Sequence, residues 1–136
     1  MASDLIWLVY RSDAVGLRPE RNLEDIVAVS VWKNARRRIT GALGHCAGRY
    51  VQLLEGPREA VDALMAELEA DTRHASLVVL GSGPAHARLV PGWTMARADL
   101  AGLHEPIAEL LDRENPGAEI AARLALLVQR GETGVA

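Results

Sequence analysis

The run LIWLVY, from Leu5 to Tyr10, constrains the fold of this chain more than any other stretch. A continuous series of apolar and aromatic residues is typical of a strand buried on both faces, so it needs neighbouring strands and covering layers. A second apolar stretch, GRYVQLLEG, has Gln52 at its centre. The amide of Gln52 carries two donor hydrogens and an acceptor, and leaving such a group unpaired in an apolar sheet costs about 1–3 kcal/mol. The first question that the sequence raises is therefore what Gln52 is bonded to.

The spacing of apolar residues and turn residues predicts the other strands. A hairpin is expected around Ala47-Gly48, and a Gly-Ser-Gly-Pro turn is expected before the last strand. The predicted strands are Leu5–Tyr10, Ile39–Cys46, Arg49–Glu55, Leu77–Leu80 and Arg88–Met95.

Helical periodicity predicts one helix after the first strand and another after the third. The first is expected to run from the candidate N-cap Asn22 to Arg38. The second opens at Gly56-Pro57, because proline is tolerated at the first helical position. Two amphipathic helices are expected in the tail, beginning at Pro106 and Pro116. The order βαββαββ predicts an α+β fold in which one sheet has both main helices on one face.

Composition limits the class of protein. The chain has 136 residues, 49% of them hydrophobic, which fits one domain with its own core. No apolar run approaches the ~18 residues that span a bilayer, and the start Met-Ala-Ser-Asp lacks the pattern of a secretory signal. The single cysteine, Cys46, fits a reducing cytoplasm, and the net charge of −3 argues against general nucleic-acid binding. We therefore expect a cytoplasmic protein with neither a membrane nor a nucleic acid as its partner.

Several polar residues lie where apolar ones are expected. Ser30 and Asn34 share a helix face with apolar residues, so they point into a covered space or bond to local backbone and water. The hydroxyl of Tyr10 either reaches solvent at the sheet edge or joins them. Trp93 and Met95 are two apart on a predicted strand, which usually indicates core packing. Taken together, such convergent polar groups in an apolar setting are typical of a small-molecule site.

The basic cluster KNARRR, from Lys33 to Arg38, has two interpretations. Cations at the end of a helix offset its macrodipole, which is the simpler explanation. The alternative is an anion site for a ligand that carries phosphate.

The segments VYRS, SVWKNAR, ITGAL, GRYVQLLEGP, DTRH and PGWTM, in this order and at these spacings, closely resemble the BLUF domain, a blue-light sensor that uses FAD. The resemblance runs from about Leu5 to Leu100, and it does not cover the tail. It implies a flavin-binding domain at residues 1–100 and a helical extension at residues 101–136 that is part of the same compact unit. The residues that fall on the marked positions of the family are Tyr10, Asn34, Gln52, Trp93 and Met95.

The resemblance also implies a ferredoxin-like fold with FAD held non-covalently between the two main helices. The flavin ring would lie near Tyr10, Asn34 and Gln52, with Ser30 close by, and Ile26 and Leu68 would form its apolar walls. The residues implied for the ribityl–phosphate part are Lys33, Asp71, Arg73 and His74. No metal is implied, and the chain is expected to be a sensor rather than an enzyme.

The chemistry suggests a role for Gln52, because a primary amide can donate and accept at once and can rotate or tautomerise to exchange these roles. We hypothesise that Gln52 bridges Tyr10 and the flavin, and that light-driven electron and proton transfer from Tyr10 rearranges its hydrogen bonds. A new donor to a flavin carbonyl would shift the absorption slightly to the red. Trp93 and Met95 would then pass the change through the last strand to the tail, and on to an unidentified partner protein or a second copy of the chain.

Other interpretations stay open at the level of sequence. A small enzyme on the same fold lacks support, because no nucleophile–base pair, metal-ligand spacing or Gly-rich phosphate loop is found. A BLUF-like interaction module without cofactor is the third possibility. Tyr50 stands where the family usually has Phe and is a possible competing electron donor, while His45 is expected to face solvent. Which of Trp93 and Met95 faces the flavin is left open.

Overall fold

The computed structural model describes residues 4–14, 33–46, 48–70, 74–92, 95–98 and 116–129. Residues 33–37 are helical, whereas most of the expected first helix and the expected helix from Pro106 lie outside the described residues. The named elements are β1 (Leu5–Ala14), β2 (Thr40–Cys46), β3 (Arg49–Pro57), α1 (Arg58–Glu69), β4 (His74–Pro84), β5 (Ala96–Ala98) and α2 (Gly117–Gln129).

The strands form one sheet with the order β4-β1-β3-β2-β5. β1 pairs antiparallel with β3 and β4, and β2 pairs antiparallel with β3. This part has the order of a ferredoxin-like sheet, and β5 joins it in parallel beside β2. The apolar run of β1 thus lies in the interior of the sheet, and the predicted α+β, ferredoxin-like fold is confirmed.

Side chains alternate between the two faces of each strand, which gives the sheet two separate cores. On one face, Tyr10 and Leu54 belong to a cluster with the apolar stripe of α1, in which Val61, Leu64 and Met65 are buried. On the other face, α2 packs against the sheet with Ile120 and Leu124 fully buried. A Cβ on Gly117 would come within 2.8 Å of the Gly81 backbone, so this close approach of α2 to β4 requires glycine.

The predicted Gly-Ser-Gly-Pro turn is wrong, because residues 81–84 continue β4 in register with β1. The reason is the indole of Trp7. A Cβ on Gly81 or Gly83 would approach the indole ring to 3.1 or 3.2 Å, so the glycines make room for a side chain across the sheet. Local turn propensity gives way here to a long-range packing requirement.

The predicted fifth strand at Arg88–Met95 is also wrong. Residues 85–92 form bends and turns, and β5 begins only at Ala96. The backbone of this stretch does not join a strand ladder, because side chains from the sheet take up its N–H groups at Leu89 and Val90. We call residues 85–92 the crossover segment, since they lead from β4 at one end of the strand order towards β5 at the other.

The basic cluster does close a helix. Arg38 has a φ of 58°, the N–H of Ile39 donates to the carbonyl of Asn34 at 2.9 Å, and the N–H of Arg38 donates to Ala35. These two bonds are the pair that defines a Schellman motif, with Arg38 in the position that usually holds glycine. Arg37 extends from the same turn to form an ion pair with Glu67 on α1.

None of the helices described is long and apolar enough to cross a bilayer.

Candidate functional site

The centre of the candidate site is a hydrogen bond between two neighbouring strands. Tyr10 on β1 is the register partner of Gln52 on β3, so both side chains project from the same face. The phenol O–H of Tyr10 donates to Oε1 of Gln52. Tyr10 is 1% exposed and Gln52 is 2% exposed, which excludes the interpretation that the Tyr10 hydroxyl reaches solvent.

The other end of the Gln52 amide faces Met95. Nε2 of Gln52 donates to Sδ of Met95 at 3.4 Å, and Met95 is fully buried. Met95 lies immediately before β5, so its side chain passes over β2 to reach Gln52 on β3. Gly41 on β2 leaves space for it, because a Cβ there would lie 3.3 Å from the Met95 methyl and 2.2 Å from the carbonyl oxygen of Leu53.

The Tyr10 and Met95 contacts together define the orientation of the amide. The carbonyl oxygen of Gln52 faces a donor, and the NH₂ group faces a thioether, which is a weak acceptor and carries no proton to donate. The Gln52 amide therefore has a preferred orientation, with its oxygen towards Tyr10 and its NH₂ group towards Met95.

Asn34 lies in the last helical turn before Arg38 and is 1% exposed. Its position is fixed by the Schellman motif, in which its own carbonyl accepts the N–H of Ile39. Leu68 is half-buried and packs against the cluster that contains Tyr10 and Met95. Lys33 is exposed in the same helical segment as Asn34.

The remaining expected site residues are less fully described. The backbone of His74 begins β4 opposite Ala14. Five of the predicted residues lie outside the described residues: Ile26, Ser30, Asp71, Arg73 and Trp93. The structure thus brings Tyr10, Gln52 and Met95 into direct contact.

His45, which contacts Tyr50, differs from the expectation that it faces solvent. Tyr50 is fully buried in the same cluster as Tyr10, and the ring centroids of His45 and Tyr50 are 5.9 Å apart in an edge-to-face arrangement at 65°. His45 is half-buried rather than facing solvent. Its position directly opposite Tyr50 in the β2–β3 hairpin explains the contact.

Glu55 is a buried charged residue that the sequence analysis did not single out. It is fully buried on β3, on the face opposite Gln52, and its carboxylate accepts hydrogen bonds from Thr40 and from the crossover segment. The alternation of side chains along β3 could have indicated that Glu55 is buried. Val51, Leu53 and Glu55 fall on one face of the strand, and the first two are apolar. Among the described residues, no cluster of three or more His, Cys, Asp or Glu side chains could hold a metal ion.

These groups fit the polar edge of a flavin. A flavin presents carbonyl oxygens, a ring nitrogen and an N–H along that edge, and carboxamides can pair with donors and acceptors alike. The amides of Gln52 and Asn34 and the phenol of Tyr10 are all buried. Tyr10 belongs to an apolar cluster that includes Met95 and against which Leu68 packs. A few polar groups in an apolar setting are typical of a cofactor pocket.

Comparisons with known proteins agree on one relationship. The photoactivated adenylate cyclase subunit beta of Euglena gracilis is 31% identical over 112 residues, 80% of this chain and 13% of that protein. The blue light- and temperature-regulated antirepressor BluF of Escherichia coli is 34% identical over 101 residues, 74% of this chain and 25% of that protein. This chain therefore spans only a quarter or less of the length of these two relatives.

The comparison of structures and the family model extend this result. The solved dark-state structure of BlrB, a BLUF protein, has a TM-score of 0.79 and 32% identity, covering 96% of this chain and 99% of that one. Residues 5–96 match the model of the BLUF family, described as sensors of blue-light using FAD. Since the match covers more than half of the 136 residues, the chain belongs to the BLUF family of blue-light sensors.

Proposed function

We propose that this chain is a blue-light photoreceptor that binds FAD non-covalently and signals by rearranging the hydrogen bonds of Gln52. The observation that carries the proposal is the buried chain of contacts from the Tyr10 hydroxyl through the Gln52 amide to the Met95 sulfur. When bound, FAD supplies light absorption and a strong one-electron oxidant in its excited state. The protein supplies the electron, the proton and the geometry.

The cofactor-binding residues follow from the family pattern. Tyr10, Asn34, Gln52 and Ser30 are proposed for the ring, with Ile26 and Leu68 as its apolar walls. Lys33, Asp71, Arg73 and His74 are proposed for the ribityl–phosphate part. The exposure of Lys33 is compatible with a phosphate at the surface.

Tyr10 is the proposed electron donor. A phenol that loses an electron becomes a strong acid, and the O–H of Tyr10 already points at Oε1 of Gln52, so the proton moves along that bond. When the electron and the proton return to Tyr10, no net reaction has occurred. The amide of Gln52 has nevertheless passed through a protonated state from which it can settle in a rotated or tautomeric form.

The Met95 contact gives this rearrangement a consequence. If the amide rotates by half a turn, its oxygen replaces the NH₂ group opposite Met95. A thioether cannot donate a hydrogen bond, so the Gln52–Met95 bond is lost. Met95 then has no directional contact to Gln52, and the chain leading into β5 is free to shift.

The signal is proposed to travel from Met95 through β5 to the helical extension. β5 pairs with β2 and is also contacted by α2, so a displacement of β5 acts directly on α2. This is a local hydrogen-bond change that biases a two-state element. We propose residues 1–100 as the flavin-binding domain and residues 101–136 as the extension, with Trp93 as the second residue at the switch.

The output is proposed to act on a separate protein or on a second copy of the chain rather than on a substrate. The single cysteine, Cys46, favours a reducing compartment, so we place the proposed sensor in the cytoplasm.

The experiment that tests the function is an absorption spectrum of the purified chain in the dark and after a blue pulse. We expect a flavin spectrum that shifts slightly to the red and recovers in the dark. The cofactor released by denaturation is identified by mass, which distinguishes FAD from FMN. Bound flavin without a shift would refute the switch, and failure to take up added FAD would leave a light-insensitive interaction module.

A further inference from the structure

The crossover segment is bonded to the sheet at several points along its path. At its start, the N–H of Ala85 donates to the carbonyl of Leu5 on β1 at 3.0 Å. Farther along, the guanidinium of Arg88 donates from Nη2 to the carbonyl of Arg38 at 2.7 Å. Its Nη1 donates to Oγ1 of Thr40 at 2.9 Å and to the carbonyl of Glu55 at 3.0 Å. The segment is thereby attached to the ends of β1, β3 and β2 in turn.

Glu55 supplies the innermost of these attachments. Its Oε1 accepts the N–H of Val90 at 3.1 Å and the hydroxyl of Thr40 at 3.1 Å, and its Oε2 accepts the N–H of Leu89. Two consecutive backbone groups of the crossover segment are thus held by the two oxygens of one carboxylate. A single carboxylate therefore fixes both the position and the direction of the backbone at residues 89–90.

Burying the carboxylate of Glu55 has a cost in free energy. Removing a charged group from water costs several kcal/mol unless hydrogen bonds compensate for it. An apolar residue at position 55 would pack beside Leu53 and avoid this cost, but it would remove the carboxylate that accepts the N–H groups of Leu89 and Val90. We therefore attribute the presence of a buried carboxylate at position 55 to its role in positioning the backbone of the crossover segment.

That position matters because Met95 follows closely. Val90 is 1% exposed, and the fully buried Met95 comes five residues after it. Glu55 and Gln52 are on the same strand, three residues or about 10 Å apart, so one strand holds both the anchor and the switch. Five residues span at most about 17 Å even when fully extended, so the anchor at residues 89–90 limits where Met95 can lie.

We propose that Glu55 is a positioning residue that acts through the crossover segment to hold Met95 against the Gln52 amide. The inference rests on the proposed function for its effect on light sensing, but the placement of Met95 can be tested without light. Glu55 itself touches neither Gln52 nor the proposed cofactor, since its side chain lies on the opposite face of β3.

The test variant is Glu55→Gln, which keeps the size and shape of the side chain. A carboxamide has one acceptor oxygen and one NH₂ group, so in either orientation an NH₂ donor meets a backbone N–H of Leu89 or Val90. One anchor is lost while the packing is kept. The matched control is Glu119→Gln, the same chemical change at an exposed position on α2.

The first measurement is the ¹³C-methyl methionine spectrum of the full chain with its bound flavin, kept in the dark. Glu55→Gln is expected to move or broaden the Met95 resonance and to leave that of Met65 in place, and Glu119→Gln is expected to change neither. An unchanged Met95 resonance in Glu55→Gln would overturn the proposal. If Glu55→Gln does not fold, Arg88→Leu removes the hydrogen bonds of the half-buried Arg88 without adding a methionine, and the same Met95 criterion decides.

The second measurement is the rate of dark recovery in a double-mutant cycle with Met95→Leu. We expect Glu55→Gln to change the rate by about fivefold, the factor that corresponds to one lost hydrogen bond. We expect little change when Met95 is already Leu, because the route through Met95 is then absent. An equal effect in both backgrounds would show that Glu55 does not act through Met95. If the wild-type chain shows no light response, the proposed function fails, but the methionine spectrum still decides the placement of Met95.

Discussion

Gln52 is the residue on which the proposed switch depends, because its amide joins a donor on one side to an acceptor on the other. We expect Gln52→Leu to retain FAD and to lose the light-induced red shift, since a hydrocarbon cannot exchange donor and acceptor roles. The buried hydroxyl of Tyr10 also loses its acceptor, which destabilises the fold by about 1–3 kcal/mol. Absorption difference spectra and urea unfolding measure the two effects, and a normal red shift in this variant would contradict the mechanism.

The identity of the electron donor is also decided at single residues, because Tyr10 and Tyr50 are both buried on the same face of the sheet. Tyr10 donates its hydroxyl proton directly to the Gln52 amide. We expect Tyr10→Phe to abolish the red shift and Tyr50→Phe to keep it. If Tyr50 competes with Tyr10 as electron donor, Tyr50→Phe is also expected to raise the quantum yield of the red-shifted form. Quantum yields of the red-shifted form measure this, and loss of the shift in Tyr50→Phe alone would reverse the assignment.

Among the elements, the helical segment at residues 33–37 ends with a residue that is poorly suited to its backbone. Arg38 has a φ of 58°, and an L-residue with a Cβ in this region costs about 1–2 kcal/mol. We expect Arg38→Gly to stabilise the fold by about 0.5–1 kcal/mol in urea unfolding, because glycine adopts this conformation freely. The matched control is Arg36→Gly two residues earlier, within the helix, which should destabilise by about 1 kcal/mol. The same sign for both variants would contradict the Schellman assignment.

The elements also show where sequence patterns predict well. The sequence predicts the strand β1 and the helix α1 because each repeats an apolar pattern over its own length. The glycines and proline at residues 81–84 predict a turn, yet the conformation of these residues is decided by Trp7 on another strand. The pattern of a short segment cannot contain that information, since the deciding atom is more than seventy residues away.

At the scale of the whole molecule, the same limit separates the part of the candidate site that could be predicted from the part that could not. Gln52 stands out in an apolar strand, so the sequence predicts a buried partner for it, whereas for Tyr10 a hydroxyl that reaches solvent at the sheet edge stays open at the level of sequence. The proposed dependence of the Gln52–Met95 contact on the crossover segment involves hydrogen bonds to a distant strand. Glu55 on β3 accepts the N–H of Leu89, and Arg88 within the segment donates to the carbonyl of Glu55. The prediction of a strand at Arg88–Met95 is wrong for this reason, because the N–H groups of Leu89 and Val90 donate to the Glu55 carboxylate and not to a neighbouring strand.

The relation of the helical extension to the sheet leads to a prediction for the whole molecule. Leu124 is fully buried between α2 and the sheet, whereas Leu126 on the same helix is 56% exposed. If the extension and the flavin-binding domain form one cooperative unit, Leu124→Ala should lower the free energy of unfolding of the entire chain by about 2–5 kcal/mol. Leu126→Ala should change it by no more than about 0.5 kcal/mol.

Urea unfolding followed by far-ultraviolet circular dichroism and by flavin release should then give coincident midpoints that shift together in Leu124→Ala. Flavin release that stays at the wild-type midpoint while helical signal is lost earlier would show that α2 unfolds independently, and a relay from β5 into α2 would then lack the mechanical coupling that it requires.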